Sequence, residues 1–215
     1  MNKNIKRLLF SVTISALFAS TSALAYSVTV GGTNVSGNGQ KTSVPGAVTT
    51  NFNSSFNLPT GYTGGQVVIG SSSGLYASPP NDITKFFNVN PSAGSPATVK
   101  LNGNASYFGF YGGSPDTFNS IELFFNKTLL KTFDGTFLAG VSGNPPNGDH
   151  SSGAFFNIFA KDYTEYFNTV KFLSSSNSFE TDNHAVLLAT PLPAAVWLFG
   201  SALIGFISLS NRKRV

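Results

Sequence analysis

Two short polar segments, GSPDTFN and FETDN, interrupt apolar runs of the chain and carry side chains that could bind a cation through oxygen. The candidate ligands are Asp116 in the first segment and Glu180 and Asp182 in the second. Calcium prefers carboxylate and amide oxygens of this kind, especially in loops. No D-x-D-x-D-G array accompanies them. Calcium is therefore the one cofactor that the residues suggest, and no other is predicted.

Both segments also have a structural interpretation. In GSPDTFN, the side chains of Ser114, Asp116 and Asn119 lie between two apolar strands, where Asp and Asn usually bond to their own turn backbone. FETDN can serve as a buried, hydrogen-bonded latch between sheets. We prefer these interpretations to a metal site.

The two histidines, His150 and His184, each stand near an aspartate. Ser151, His150 and Asp149 have the residue types of a hydrolytic triad, but adjacent residues of one loop rarely converge in the geometry a triad needs. The sequence has no G-x-S-x-G or H-E-x-x-H motif. A carboxylate pair for glycoside hydrolysis stays open because its spacing is purely spatial. We predict no catalytic residue and no enzyme, with a secreted glycan hydrolase as the least favoured alternative.

Four tyrosines could form a platform on which sugar rings stack: Tyr62, Tyr76, Tyr107 and Tyr111. Tyr107 and Tyr111 lie four residues apart in one predicted strand, so they point to the same face. Aromatic residues on one face of an all-β chain more often form the core than a platform. A carbohydrate-binding module is therefore an alternative function.

The elements that would position these residues are predicted to be strands. Short apolar or alternating runs separated by Gly, Asn, Pro and Ser indicate about eleven of them. The predicted fold class is all-β, an antiparallel β-sandwich of the jelly-roll type. Asn126-Lys127 and Asp134-Gly135 are predicted to be hairpin turns, which would make residues 121–141 a three-stranded meander. The segment AKDYTEYFN is predicted to hold the one helical turn.

Residues 1–25 have the three parts of a secretory signal peptide. A basic start with Lys3, Lys6 and Arg7 precedes an apolar run, and small residues at Ala23 and Ala25 mark the cleavage site. The mature chain would begin near Tyr26.

Residues 190–215 form a second targeting segment. Pro191, Leu192 and Pro193 precede an uncharged run over 194–209, which as a helix would span about 24 Å. A hydrocarbon core is about 30 Å thick, so one short transmembrane helix is predicted. The basic end, Arg212, Lys213 and Arg214, is a stop-transfer signal that would stay cytoplasmic and leave the body outside.

Most of the basic residues lie in the targeting segments. The body over 26–189 has seven lysines, no arginine and nine acidic residues, a formal net charge of −2. Nucleic-acid binding is not expected, because it needs clustered Lys and Arg. The sequence has no cysteine, which excludes disulfides, thiolate metal sites and lipoprotein anchoring.

The tail, with Pro191-Leu192-Pro193, then AAVWLFGSALIGFISLS and NRKR, resembles the sorting signal of PEP-CTERM proteins, which are exosortase substrates of exopolysaccharide-producing Gram-negative bacteria. Leu192 stands where the family motif has Glu, a variant form. The resemblance implies export through the secretion translocon, transient anchoring in the inner membrane, cleavage by an exosortase near the Pro motif, and a final place at the cell surface or outside the cell.

The body resembles a subset of the same surface proteins. The resemblance rests on YFGFYGGSPDTFNSIELFFNKTLLKTF and SFETDNHAVLLA, and it implies a β-sandwich without an assigned activity. Together these observations predict an exported surface or matrix protein with a structural or adhesive role in exopolysaccharide or biofilm. Exopolysaccharide is its expected partner outside the cell.

Overall fold

The computed structural model describes residues 26–145, 150–189, 198–199 and 202. Within 26–145 and 150–189 the chain is mostly β, with one α-helix and one short 3-10 helix. Every strand pairing in these two ranges is antiparallel. The predicted all-β class is confirmed.

The first seven strands are short and come from the Gly- and Asn-rich part of the body. They are β1 Ser27–Val30, β2 Thr33–Asn34, β3 Gln40–Lys41, β4 Val48–Thr50, β5 Tyr62–Thr63, β6 Gln66–Ile69 and β7 Lys85–Val89.

The later elements are longer, because apolar residues alternate there with few glycines. They are β8 Ala97–Gly112, β9 Asn119–Phe125, β10 Thr128–Asp134, the helix α1 Gly135–Ser142, β11 Ala154–Phe159, the 3-10 helix Tyr163–Glu165, β12 Phe167–Ser174 and β13 Phe179–Leu188.

Strand β8 connects the two halves of a single curled sheet of eleven strands. The first part of β8 pairs with β12 and β5, and β12 continues to β9 and β10. The last part of β8 pairs with β11 on one side and β13 on the other. Strand β13 continues to β7 and β6. The remaining short strands β2 and β3 form a separate hairpin.

The core lies inside the curl and is built mainly from phenylalanine. Phe172 of β12 packs against rings from the other half of the sheet, including Phe87, Phe110 and Phe179, with centroids 5.6–5.9 Å apart. Such edge-to-face contacts add to the free energy gained from burial. The two halves of the sheet therefore share one apolar interior.

A second, smaller core lies on the opposite face of β8. Tyr107 and Tyr111 are buried there with Phe155 and Ala185. The 31–47 segment covers this face closely. A Cβ atom at Gly39, which has a positive φ of 58°, would lie 2.1 Å from the Tyr111 ring. The preference for core over platform is thus correct for these two tyrosines.

The helix α1 corrects one prediction. Asp134-Gly135 does not turn a hairpin, because the side chain of Asp134 accepts a hydrogen bond from Phe137 N and caps a helix instead. The predicted meander therefore has only two strands, β9 and β10. Its other turn is correct, since Asn126 adopts a positive φ of 56° between them. The 3-10 helix Tyr163–Glu165 is the predicted helical turn.

Both predicted targeting segments lie largely outside the described residues. This holds for residues 1–25, including Ala23 and Ala25, and for the sorting motif and basic tail: Pro191, Leu192, Pro193, Arg212, Lys213 and Arg214. Leu198, Phe199 and Ala202 of the tail are described and are helical. The described part of the chain contains no helix with the length and apolar character to cross a membrane.

Candidate functional site

A cleft of about 560 Å³ opens where the 71–77 loop meets the turn before β9 and the turn before β13. Its walls combine hydroxyl, amide and carboxyl groups with a few apolar side chains. The lining residues that bear on function are Tyr76, Asp116, Phe118, His150, Asn177 and Glu180. The structure thus brings Asp116 and Glu180, two of the three predicted ligands, into one cleft.

Hydrogen bonds hold the 71–77 loop in place. Asn177 Nδ2 donates to Gly74 O over 2.9 Å, and Ala77 N donates to Glu180 Oε1 over 2.9 Å. Ser72 also pairs with Tyr76 through the backbone. The cleft is therefore formed before any ligand arrives.

Glu180 lines the cleft and is almost fully buried. The Ser178 hydroxyl donates to the same Oε1 atom that accepts from Ala77. Burial raises the pKa of Glu180, and these hydrogen bonds oppose the shift. One carboxylate oxygen is thus committed to holding the loop.

Asp116 belongs to the turn that precedes β9. Its backbone N donates to Asn119 Oδ1 over 3.1 Å, as the turn-capping interpretation requires. The Asn119 amide also donates to Ser178 O over 3.0 Å, which joins this turn to the residue that precedes FETDN. Ser114 is buried beside them and does not line the cleft.

Asp182, the third predicted ligand, lies away from the cleft and faces Asp82. Across the described ranges, histidine and acidic side chains form no group of three or more that could hold a metal. Asn183, the residue after Asp182, donates to Asn38 O and Gln40 O over 2.8 and 3.0 Å. FETDN is therefore buried and hydrogen-bonded to distant segments, as a latch would be.

The two described residues of the possible Ser-His-Asp triad line different spaces. His150 lines the cleft, whereas Ser151 lines a separate depression of about 460 Å³ beside Asn81 and Tyr111. Asp149 lies outside the described residues. His184 is buried in the core and lines neither space.

The four tyrosines do not form one platform. Tyr107 and Tyr111 are buried, and their hydroxyls donate to Asn157 Oδ1 and Pro80 O over 2.8 and 2.6 Å. Tyr62 is hydrogen-bonded to the imidazole of His184. Only Tyr76 lines the cleft.

Sequence reasoning missed Asn177 and the serines of the 71–77 loop as parts of the cleft. Their signal was ambiguous, because the strong turn formers of GSSSGLYASPPND indicate a loop but do not show what that loop packs against. Asp82 was missed for the same reason, since nothing in the sequence places it opposite Asp182.

The chain matches no protein-family model, no curated protein sequence and no solved structure. The cleft must therefore be interpreted from its own geometry.

Proposed function

We propose that this chain is an exported, non-enzymatic surface protein that adheres to neutral exopolysaccharide and so contributes to the extracellular matrix. The cleft beside Tyr76 is the observation that carries the adhesive part of the proposal. Targeting segments at both ends support the exported part. The low charge of the body suits close packing among neutral polysaccharide chains.

The chemistry of the cleft fits a sugar. Sugar rings present apolar faces and many hydroxyl groups, so their binding sites combine an aromatic ring with hydrogen-bond donors and acceptors. Tyr76 and Phe118 supply rings, Ser71–Ser73 supply hydroxyls, and Asp116 supplies a carboxyl group. Tyrosine suits such a surface because its ring is apolar and its tip is polar.

The route to the surface follows from the targeting segments. The secretion translocon would export the chain and a signal peptidase would cut after Ala25. The tail would hold the intermediate in the inner membrane until an exosortase cuts near Pro191, Leu192 and Pro193. The basic residues Arg212 to Arg214 would stop transfer at the cytoplasmic side.

The proposal extends to the fold, in which the curled sheet would form a two-layered sandwich. The half of the sheet with β9, β10 and β12 and the half with β7, β11 and β13 would be the two layers of a jelly-roll-like sandwich. Contacts of Phe172 across the interior support this arrangement.

Affinity gel electrophoresis in the host's exopolysaccharide tests the adhesive proposal. Wild type should be retarded, and Tyr76→Ala should lose most of the retardation. Tyr166→Ala is the matched control, because Tyr166 is also half-buried but does not line the cleft. Equal retardation of both variants and wild type, or none for wild type, would contradict binding at this cleft.

The same preparations distinguish binding from hydrolysis. A carbohydrate-binding protein leaves the polysaccharide intact, whereas a hydrolase releases reducing ends. Release by wild type that disappears in Glu180→Gln and Asp116→Asn would replace the adhesive proposal with a glycan hydrolase that uses this carboxylate pair.

Intact mass tests the sorting proposal. Protein from the envelope and medium of a host with its exosortase should lack both ends, with cuts near Ala25 and near Pro191 to Pro193. Deletion of the exosortase should leave the tail in place. A mass that retains the RKRV end in both strains would contradict exosortase processing.

A further inference from the structure

Two buried carboxyl groups, those of Asp82 and Asp182, face each other between the 31–47 segment and β13. Asp82 is 3% exposed and Asp182 is 0% exposed. Their side chains lie within hydrogen-bonding reach of one another. Neither residue lines the cleft, so this pair is separate from the candidate glycan site.

The backbone is shaped to bring the pair together. Asn81 and Asn183 adopt positive φ angles of 59° and 50°, next to Asp82 and Asp182 respectively. The register of β13 against β8 shifts between Asp182 and Ala185. Bulges of this kind redirect side chains. Asn38, which pairs with Asp82 through an isolated bridge, completes the surroundings.

This cluster has fewer hydrogen-bond donors than acceptor oxygens. Asp82 Oδ1 accepts from Thr84 N over 2.8 Å. The Thr84 hydroxyl lies 2.7 Å from Asp82 Oδ1 and 2.8 Å from Asn38 Oδ1, yet it has a single hydrogen to donate. One of these oxygens therefore lacks that hydrogen.

Three further oxygens have no donor of normal geometry: Asp82 Oδ2 and both carboxylate oxygens of Asp182. The backbone N–H groups of Phe52 and Asn183 lie near enough only to lower the pKa of Asp182 somewhat. A buried polar atom without a partner is destabilising, and a buried charge more so. The cluster therefore needs something that is positively charged or that brings protons.

Neighbouring side chains do not supply that charge. Burial and the charge of Asp82 raise the pKa of Asp182 to about 8, and within the described residues no lysine or histidine contributes to the shift. Tyr111 lies close enough to Asp82 for that carboxylate to help burial raise the tyrosine pKa to about 12. Among the described residues, the pair is therefore surrounded by buried acidic groups and not by a cation.

We propose that Asp82 and Asp182 together bind one calcium ion, with the side-chain oxygen of Asn38 as a third protein ligand. Calcium binds six to eight oxygen atoms and accepts mixed carboxylate, amide and water ligands. A polar depression is lined by Gly37, Gly39 and Asn81, the immediate sequence neighbours of Asn38 and Asp82. The bound ion would tie the 31–47 segment to β13.

Two carboxylates are a low charge count for calcium, so the site should be of modest affinity, with a Kd of about 10⁻⁴–10⁻³ M.

Isothermal titration calorimetry with CaCl₂ tests the site on the full-length chain, purified in mild detergent and freed of metal with EDTA. Wild type should bind one calcium ion and gain a higher Tm. Asp182→Asn removes one of the two ligand charges and should bind about tenfold more weakly or not at all.

Two variants serve as controls. Asp182→Asn resembles the protonated acid, so it should fold without calcium as well as wild type does. Glu180→Gln removes a buried carboxyl group two residues away that has its own hydrogen-bond donors, and it should bind calcium as wild type does. Loss of binding in Glu180→Gln with retention in Asp182→Asn would overturn the proposal.

A spectroscopic probe covers the case in which Asp182→Asn does not fold. Terbium replaces calcium and emits when a nearby tyrosine is excited. Tyr111 lies near Asp82 and Tyr62 lies near Asp182. Terbium emission from wild type should be strong, should be lost when excess calcium is added, and should fall in Tyr111→Phe and in Tyr62→Phe. No calcium binding by wild type, or emission unchanged in both variants, would overturn the proposal.

Discussion

The imidazole of His184 stacks on the ring of Phe172, with centroids 4.9 Å apart and planes inclined by 11°. Its two nitrogens are both engaged, Nδ1 with the Tyr62 hydroxyl at 3.0 Å and Nε2 with the Thr181 hydroxyl at 2.9 Å. A neutral imidazole has one donor and one acceptor, so one hydroxyl donates to it and the other accepts. His184 is therefore a polar member of the aromatic core.

Truncation of this ring should destabilise the protein strongly. His184→Ala would leave a cavity and remove the partner of two hydroxyl groups, so we expect a loss of about 3–5 kcal/mol in the free energy of unfolding. Urea unfolding followed by fluorescence measures it. His150→Ala is the control, because His150 is exposed and should change stability little. A loss below about 1 kcal/mol in His184→Ala would contradict this packing.

Alkaline pH should destabilise the calcium-free protein through Asp182. Its pKa is raised to about 8 in the folded state, so between about pH 4 and pH 8 the folded state holds a proton that the unfolded state has lost. Stability then falls as pH rises, by up to about 1.4 kcal/mol per pH unit. Urea unfolding in EDTA from pH 6.5 to 8 should show the fall in wild type and not in Asp182→Asn.

Acid pH should also destabilise the protein, in this case through His184. Burial lowers its pKa to about 3, so the unfolded state binds a proton below about pH 6.5 that the folded state refuses. Stability is lost as pH falls towards 3, again by up to about 1.4 kcal/mol per unit. Above about pH 4, protonation of Asp182 stabilises the folded state as pH falls and so offsets the loss through His184. The loss of stability should therefore appear most clearly in Asp182→Asn. A flat profile of that variant between pH 6.5 and 4 would contradict a neutral, buried His184.

Strand periodicity and turn chemistry predicted the all-β class and the β9–β10 hairpin correctly, because both depend on neighbouring residues. The predicted hairpin turn at Asp134-Gly135 was wrong because these two residues suit either a turn or the start of a helix. Aspartate before glycine favours a type I′ turn and also suits a helix cap, and the following TFLAGV lacks β alternation strong enough to decide.

The candidate site was only partly predictable, because its geometry depends on long-range packing. GSPDTFN and FETDN were identified as polar segments, yet the sequence could not show that Asp116 and Glu180 share a cleft while Asp182 faces Asp82. A hundred residues separate that last pair. Only the pairing of β13 with its neighbours, and the bulge after Asp182, bring the two carboxyl groups together.

Loss of the α1 cap gives a direct test of the corrected turn. Asp134→Ala removes the acceptor for Phe137 N, which lies 2.7 Å from Asp134 Oδ1. We expect a loss of about 1 kcal/mol in the free energy of unfolding. Asp134→Asn keeps a capping oxygen and should lose only a few tenths of that value. Equal losses in the two variants would contradict the cap.

Two glycines of α1 should respond to alanine in opposite ways. A Cβ atom at Gly135 would lie 1.7 Å from Asp116 O, so Gly135→Ala must displace the turn that carries Asp116 into the cleft. Gly140 is exposed with nothing within 4 Å of a Cβ atom, and Gly140→Ala should stabilise the helix by about 0.5–1 kcal/mol.

Thermal unfolding and affinity electrophoresis separate the effects of these two substitutions. Gly140→Ala should raise Tm and keep the retardation of wild type in exopolysaccharide. Gly135→Ala should lower Tm and weaken retardation, because Asp116 moves with its turn. Weakened retardation in both variants would mean that α1 affects binding by some route other than the contact between Gly135 and Asp116.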